Sequence, residues 1–168
     1  ADSTEYSKVL SGKTVLITAG PTYEDLDPVR YIGNRSSGKM GIALASACKQ
    51  MGARVHLILG PSAESIPVEI QNTVRVLSAQ EMMEACSEVH GDCDVAIFAA
   101  AVADYRPAAI NRQKIKKKAG DMSIELERTP DIAATLGNSK KEHQIHIGFA
   151  LETEHEEDNA KRKLEKKN

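Results

Sequence analysis

The fold is decided between residues 17 and 41, which read ITAGPTYEDLDPVRYIGNRSSGKMG. An apolar strand pattern ends at the break formed by Gly20 and Pro21, and a second loop at residues 34–38 is rich in small, hydroxyl and amide side chains. This second loop leads directly into a helix pattern, so its backbone N–H groups and the positive helix end would face an anion. The stretch therefore predicts a strand–loop–helix unit that binds phosphate.

The composition is that of one globular domain. The chain has 168 residues, of which 41% are hydrophobic and 27% charged, while aromatics make up only 4% and Trp is absent. A core of Val, Ile, Leu, Ala and Met is expected from this composition. The formal net charge of −2 argues against a generally basic nucleic-acid binder.

The cysteines and histidines suggest no metal site. The three cysteines, Cys48, Cys86 and Cys93, match no zinc spacing. His56 and His146 fall in strand patterns, whereas the remaining histidines, His90, His143 and His155, are predicted to lie on the surface. No apolar run of membrane length and no signal-peptide pattern is present, so we expect a cytoplasmic protein without a membrane partner.

Strand and helix patterns alternate along the chain. Strands are predicted at 14–18, 54–59, 74–77, 94–101 and 145–150, with one hairpin strand within 122–128. Helices are predicted from a Ser37 cap through Met51, at 79–89, after the Thr129-Pro130-Asp131 opening through Leu136, and at 154–167. This order predicts an α/β domain with a Rossmann-like, doubly wound, mostly parallel sheet, helices on both faces and a flap or dimerisation hairpin. Residues 1–12 are expected to be a linker or leader.

Two familiar nucleotide-binding signatures fail in this sequence. Residues 33–39 fit the start of a P-loop, but Met40 stands where a Ser or Thr should hold magnesium. The turn after Thr18 lacks the G-x-G-x-x-G fingerprint of nicotinamide-binding folds. No tyrosine is followed four positions later by a lysine, so the acid–base pair of short-chain dehydrogenases is missing as well.

Charge is concentrated in three short segments. Residues 112–118 and 161–167 each carry five basic side chains, and residues 152–158 carry five acids. Such segments are typical of solvated surface. They would also suit an anionic ligand held between the two basic clusters, and both interpretations stay open at this point.

The chain resembles a known family through three motifs: Asn34, the Ser-Ser-Gly-Lys-Met-Gly run at residues 36–41, and the Lys114-Ile115-Lys116-Lys117 run. It is similar to the phosphopantothenoylcysteine synthetase domain of bacterial coenzyme A biosynthesis, from about Lys13 to the C-terminus. The resemblance implies a ligase in which the carboxylate of 4′-phosphopantothenate attacks CTP and releases pyrophosphate. The cysteine amine then attacks the acyl-cytidylate and releases CMP.

The resemblance also implies roles for individual residues. Asn34 would handle the acyl-nucleotide, and Lys114 would belong to a basic flap that closes over it. Phosphopantothenate would bind near Asn34, Ser36, Ser37, Gly38 and Lys39. The CTP site would comprise Ala100, Ala101, Asp104, Lys114, Pro130, Asp131, Ile132, Ala133, Phe149, Lys163 and Lys167.

The partners implied by the resemblance are CTP, Mg²⁺ carried with the triphosphate, 4′-phosphopantothenate, cysteine and a second copy of the chain in a homodimer. No dedicated metal ligand and no nucleic acid is expected. Relatives carry a fused flavin-dependent decarboxylase domain, which is not recognised in residues 1–168, and the synthetase domain at 13–168 is expected to be truncated. ATP in place of CTP, an NAD(P)-dependent reductase and an inactive nucleotide-binding fragment are the alternatives.

Overall fold

A computed structural model describes residues 8–117 and 119–149. The strands are β1 Thr14–Ala19, β2 Tyr23–Asp25, β3 Tyr31–Gly33, β4 Arg54–Leu59, β5 Asn72–Arg75, β6 Val95–Phe98, β7 Tyr105–Pro107, β8 Leu126–Arg128 and β9 Ile145–Gly148. The helices are α1 Lys39–Gln50, α2 Ala79–His90 and α3 Ile132–Asn138. None of the described helices is long and apolar enough to cross a membrane.

Five strands form one parallel sheet in the order β5-β4-β1-β6-β9. The chain moves outward from β1 in one direction through β4 and β5, then returns to the other side of β1 for β6 and β9. The predicted doubly wound sheet is therefore confirmed, and its switch point lies between β1 and β6. Open sheets of this kind bind ligands in the crevice beyond the carboxyl ends of the strands at the switch point.

Each face of the sheet has its own apolar core, because side chains alternate along a strand. On one face, Val15 and Ile17 of β1 pack with Ile42 and Ala45 of α1. On the other face, Leu16 packs among residues of α2 and α3, which include Met82, Met83, Cys86, Ile132 and Leu136. The central strand β1 is thus covered on both sides, which explains why residues 15–19 are all buried.

Two small antiparallel hairpins stand outside the sheet. The hairpin strand predicted within 122–128 is present as β8, which pairs with β7. The other, β2 with β3, was not predicted. Its three-residue strands give too short an alternation to recognise, although the Asp27-Pro28 turn that joins them is a characteristic turn signal.

Several predicted boundaries were wrong. Helix α1 begins after Gly38, which has φ 79°, and the Ser37 side chain is not its cap. Helix α3 is capped by Asp131, so Pro130 precedes the helix rather than forming its first turn. Strand β5 lies two residues earlier than predicted, because Ser78 and Glu81 cap α2 and turn the preceding residues out of the strand. The helix predicted at 154–167 lies outside the described residues.

A pair of histidines joins α2 to the edge strand β9. The Nε2 atoms of His90 and His146 are 3.0 Å apart, and the His146 ring meets Phe98 edge-on at 5.3 Å between centroids. His90 is buried, contrary to the surface position predicted for it. Burial lowers the pKa of His90, helped by Lys141, and burial together with His90 and Lys140 lowers the pKa of His146 to about 4. The pair is therefore uncharged near neutral pH.

Candidate active site at the carboxyl ends of the strands

The glycines of the opening motif bring three segments into close contact. A Cβ on Gly38 would lie 3.3 Å from the Cα of Gly20, and a Cβ on Gly41 would lie 2.4 Å from the Cβ of Ala19. Gly60, after β4, would place a Cβ only 1.8 Å from the carbonyl oxygen of Pro21. The beginning of α1 is therefore packed directly against the end of β1: a larger residue would overlap its neighbour at Gly41 and Gly60, and at Gly38 it would be strained by the φ of 79°.

The serines of the loop before α1 satisfy its own backbone. Ser36 Oγ accepts from the Gly38 N–H and Ser37 Oγ accepts from the Lys39 N–H, both at 3.3 Å. Ser62 Oγ donates to the Ser37 carbonyl at 2.6 Å, which ties the loop to the segment after β4. Ser36, Ser37 and Lys39 nevertheless remain exposed. The structure thus assigns the serines a turn-forming role and leaves the loop surface open to a ligand.

Asn34 bridges two of the elements that meet here. It follows β3, and its Nδ2 donates to the Val102 carbonyl at 2.8 Å, with a longer contact of 3.4 Å to the Ala101 carbonyl. Both neighbours are acceptors, so the amide nitrogen must be the atom that faces them. The side chain is exposed. Asn34 is therefore held beside Ala101 and Val102, so a residue predicted for the phosphopantothenate site lies next to one predicted for the CTP site.

The segments after β1 and β6 are joined by hydrogen bonds across the switch point. The Ala101 N–H donates to the Gly20 carbonyl at 2.8 Å, and the Ala103 N–H donates to Thr22 Oγ1 at 3.0 Å. Thr22 is fully buried. These bonds continue the pairing of β1 with β6 beyond the regular strands. They fix the backbone around Ala100 and Ala101, two residues predicted for the CTP site.

The segment that leads into α3 is attached to the same region. The Thr129 N–H donates to the Asp104 carbonyl at 3.1 Å, and Thr129 Oγ1 donates to the Ala103 carbonyl. Asp131 caps α3 by accepting from the Ala134 N–H at 3.1 Å. The predicted nucleotide-contacting run 130–133 therefore begins next to Asp104. Asp104 itself is exposed, whereas Ile132 is buried in the core and supports the helix.

Lys114 lies in the connection between β7 and β8, and that connection is fastened to the β2–β3 turn. The Asn111 N–H donates to the Leu26 carbonyl at 3.0 Å, and the Ile115 N–H donates to Asp27 Oδ2 at 3.1 Å. Arg30 Nη2 donates to the Ile115 carbonyl at 3.1 Å. Lys114 is exposed between these attachments.

Asp27, in the turn between β2 and β3, carries a buried carboxylate. Burial alone would raise its pKa, but N–H groups of Ile115, Val29 and Arg30 and the charge of Arg30 outweigh burial and hold the pKa below its ordinary value. The group is therefore ionised at neutral pH. Sequence reasoning did not single out Asp27 or Arg30 as site residues; an Asp-Pro turn that returns within four residues to an arginine was the available signal.

Three predicted CTP-site residues, Phe149, Lys163 and Lys167, follow β9 in the chain. Phe149 comes directly after β9 and is 53% exposed. Its contact with a nucleotide base stays a prediction. Lys163 and Lys167 lie outside the described residues. No group of three or more His, Cys, Asp or Glu side chains within residues 8–117 and 119–149 could hold a metal ion.

Comparison with known proteins identifies close relatives. A family model for the DNA/pantothenate metabolism flavoprotein C-terminal domain matches residues 10–168. The chain is 49% identical over 164 residues to the coenzyme A biosynthesis bifunctional protein CoaBC of Bacillus subtilis, covering 98% of this chain and 40% of that protein. It is 52% identical over 161 residues to a protein named cysteine/cysteine sulfinic acid decarboxylase from an unknown prokaryotic organism, covering 96% of this chain and 45% of that protein.

A solved structure agrees with these relatives. The crystal structure of the C-terminal domain of a coenzyme A biosynthesis bifunctional protein CoaBC superposes with a TM-score of 0.84 at 48% identity, covering 96% of this chain and 76% of that chain. The chain spans less than half the length of the two full-length relatives, so their names describe more than this domain. The family resemblance read from the motifs is confirmed. This chain belongs to the family of DNA/pantothenate metabolism flavoprotein C-terminal domains, the family of the C-terminal domain of CoaBC.

Proposed function

We propose that this chain is a ligase that joins 4′-phosphopantothenate to cysteine in coenzyme A biosynthesis, with CTP as the activating nucleotide. The observation that carries the proposal is the 48% identity to the CoaBC C-terminal domain over 96% of this chain. Support from the geometry is that Asn34, Ala101 and Asp104 lie at one end of the sheet, at the switch point where such folds bind ligands.

The proposed reaction requires activation of a carboxylate, which is a poor electrophile as long as it is ionised. Attack of that carboxylate on the α-phosphate of CTP forms an acyl-cytidylate and releases pyrophosphate. The cysteine amine then forms the amide and releases CMP. No protein nucleophile takes part, so the chain contributes by orienting two anionic substrates and by stabilising developing charge. Mg²⁺ would enter with the triphosphate and neutralise part of its charge.

Asn34 is suited to the second step. One hydrogen of its Nδ2 is committed to the Val102 carbonyl at 2.8 Å, while the 3.4 Å contact to the Ala101 carbonyl is too long for a strong bond. The second hydrogen can therefore turn towards a stronger acceptor, such as the oxyanion formed when the amine attacks. An amide donates in this way without changing its own protonation.

Lys114 is suited to the nucleotide end of the same ligand. Asn34 follows β3, and Arg30, which holds the segment of Lys114, precedes it. The exposed Lys114 side chain can supply positive charge to the phosphates of a nucleotide bound beside this segment. We further propose that Lys163 and Lys167 contribute to the CTP site.

A homodimer is part of the proposal. Both hairpins expose large apolar side chains, among them Val29 at 60%, Tyr31 at 51% and Tyr105 at 46% exposure. Such side chains grouped on two neighbouring hairpins favour contact with another protein surface. Light scattering coupled to gel filtration tests this part, and a monomer at micromolar concentration would contradict it.

The reaction is tested by measuring pyrophosphate release from CTP and from ATP in the presence of 4′-phosphopantothenate. We expect release with CTP, and CMP formation only after cysteine is added. Folded protein that releases no pyrophosphate with either nucleotide would overturn the proposal. CTP binding by calorimetry without turnover would favour the inactive nucleotide-binding alternative, and binding of labelled NADPH would favour the reductase.

A further inference from the structure

A single buried carboxylate connects the β2–β3 turn to the basic segment 112–117. Asp27 is 1% exposed. Its Oδ1 accepts from the N–H groups of Val29 and Arg30 at 2.8 and 2.9 Å, which closes the turn locally. Its Oδ2 accepts from the N–H of Ile115, which is 88 positions away in the chain, at 3.1 Å. The two oxygens of one side chain therefore serve two different elements.

The peptide of Ile115 is held on both of its polar sides. Its N–H is bound by Asp27, and its carbonyl accepts from Arg30 Nη2 at 3.1 Å. Arg30 in turn faces the Asp27 carboxylate, with 3.5 Å between Nη1 and Oδ2. Ile115 is also the one partly shielded residue among residues 111–117, all of which are described. The segment is thus fixed at Ile115 while the basic side chains on either side of it point to solvent.

We propose that Asp27 is a positioning residue for the basic segment 112–117, which fixes the place from which Lys114 reaches the nucleotide phosphates. The inference rests on the proposed function for the role of Lys114, but the attachment itself does not. Without it, the segment would keep only the Arg30 contact to the Ile115 carbonyl and the Asn111 contact to the Leu26 carbonyl, and it would sample more conformations. Each of these would require ordering when the anion binds, at a cost in affinity.

The chemistry requires a carboxylate at this position. Among residues 8–117 and 119–149, the polar partners of the Asp27 carboxylate are all donors: three backbone N–H groups and a guanidinium. An asparagine could keep Oδ1 in the turn, but its NH₂ group would then face the N–H of Ile115 donor to donor. Asp27→Asn therefore removes the long-range arm while it preserves the size of the side chain and the local turn.

Hydrogen exchange at the Ile115 amide is the direct test. In Asp27→Asn, exchange should accelerate at least about tenfold, because a charge-assisted hydrogen bond is lost from a segment with little other protection. Asp94→Asn is the matched control. Asp94 also accepts a backbone N–H, from Thr14 at 2.8 Å, and pairs with Lys13 at 2.9 Å, but at the amino ends of the strands. The Asp94→Asn variant should leave hydrogen exchange at the Ile115 amide unchanged.

Kinetics supply a second measurement that a general loss of stability would not mimic. Asp27→Asn should raise the KM for the nucleoside triphosphate several-fold with a smaller change in kcat, and Asp94→Asn should change neither. Should Asp27→Asn fail to fold, Arg30→Gln removes the donor to the Ile115 carbonyl and should accelerate exchange across residues 115–117. Unchanged Ile115 exchange in both variants, or equal acceleration in Asp94→Asn, would overturn the proposal. The exchange result stands even if no pyrophosphate is released, so failure of the proposed ligase function is recognised separately.

Discussion

Replacing Gly60 with alanine should disrupt the joint between β1 and β4 at the carboxyl end of the sheet. The new Cβ would lie 1.8 Å from the Pro21 carbonyl oxygen and 2.9 Å from its carbonyl carbon. Both are backbone atoms, so no side-chain rotation can relieve the overlap. The two segments would have to separate by more than 1 Å to reach 3.0 Å, below which Cβ contacts are essentially never found.

The cost of that separation follows from what holds the joint. The Gly60 N–H donates to the Ala19 carbonyl at 2.9 Å, and losing this bond costs about 1 kcal/mol. Strain from overpacking adds about 1–3 kcal/mol. The free energy of unfolding should therefore fall by about 2–4 kcal/mol, a large part of the 5–15 kcal/mol that is usual for a domain.

Gly91→Ala is the control for the change of residue type. Gly91 has φ −59° and ψ −24°, and a Cβ there would meet no atom within 4 Å. Both substitutions reduce the conformational freedom of the unfolded chain to the same extent. Since Gly91→Ala causes no overlap in the folded state, this variant should be neutral or stabilised by up to about 1 kcal/mol. Urea unfolding followed by circular dichroism measures both. Equal stability of the two variants would refute the close approach of Gly60 to Pro21.

Three further predictions concern the site and the core. Asn34→Asp should lower CMP formation more than pyrophosphate release in the two-step assay, because a carboxylate cannot donate to the oxyanion; equal loss in both steps would indicate a purely structural role. The depressed pKa of His146 means that the unfolded chain takes up this proton first as the pH falls from 6.5 towards 4. The contribution of His146 to the free energy of unfolding is thus complete above pH 6.5. Below that pH, urea unfolding should show the free energy of unfolding declining by up to about 1.4 kcal/mol per pH unit. The substitution His146→Phe should reduce this decline. Burial raises the pKa of Cys86 to about 12 and that of Cys93 to about 11, so a thiol reagent near neutral pH should label both slowly until urea is added, and fast labelling of the folded protein would contradict this.

The parallel sheet could be predicted because its central strands are buried on both faces. Strands β1 and β4 carry short runs of buried residues, 15–19 and 57–59, each ending at a glycine, and such runs have few alternatives. The edge strand β5 was predicted two residues too late in the chain, since an exposed edge imposes little pattern on its sequence. The hairpin β2–β3 was missed because its own sequence is too short to show a pattern. Its stability comes from contacts with the rest of the protein, among them the hydrogen bond from the Tyr23 N–H to the Leu77 carbonyl at 2.8 Å.

The sequence by itself determined the fold class, the family and the chemical character of the site residues. These depend on local periodicity and on motifs such as Asn34 with the run at 36–41, which are contiguous in the chain. Only the tertiary structure decided that Asn34 is held by the Val102 carbonyl and that Asp27 holds Ile115 across 88 positions. Hydrogen bonds of this kind join segments far apart in the chain, and the local sequence of one segment does not indicate which other segment it contacts. Burial then decides the strength of the bonds to Asp27, because a carboxylate without access to water depends entirely on the donors that the fold brings to it.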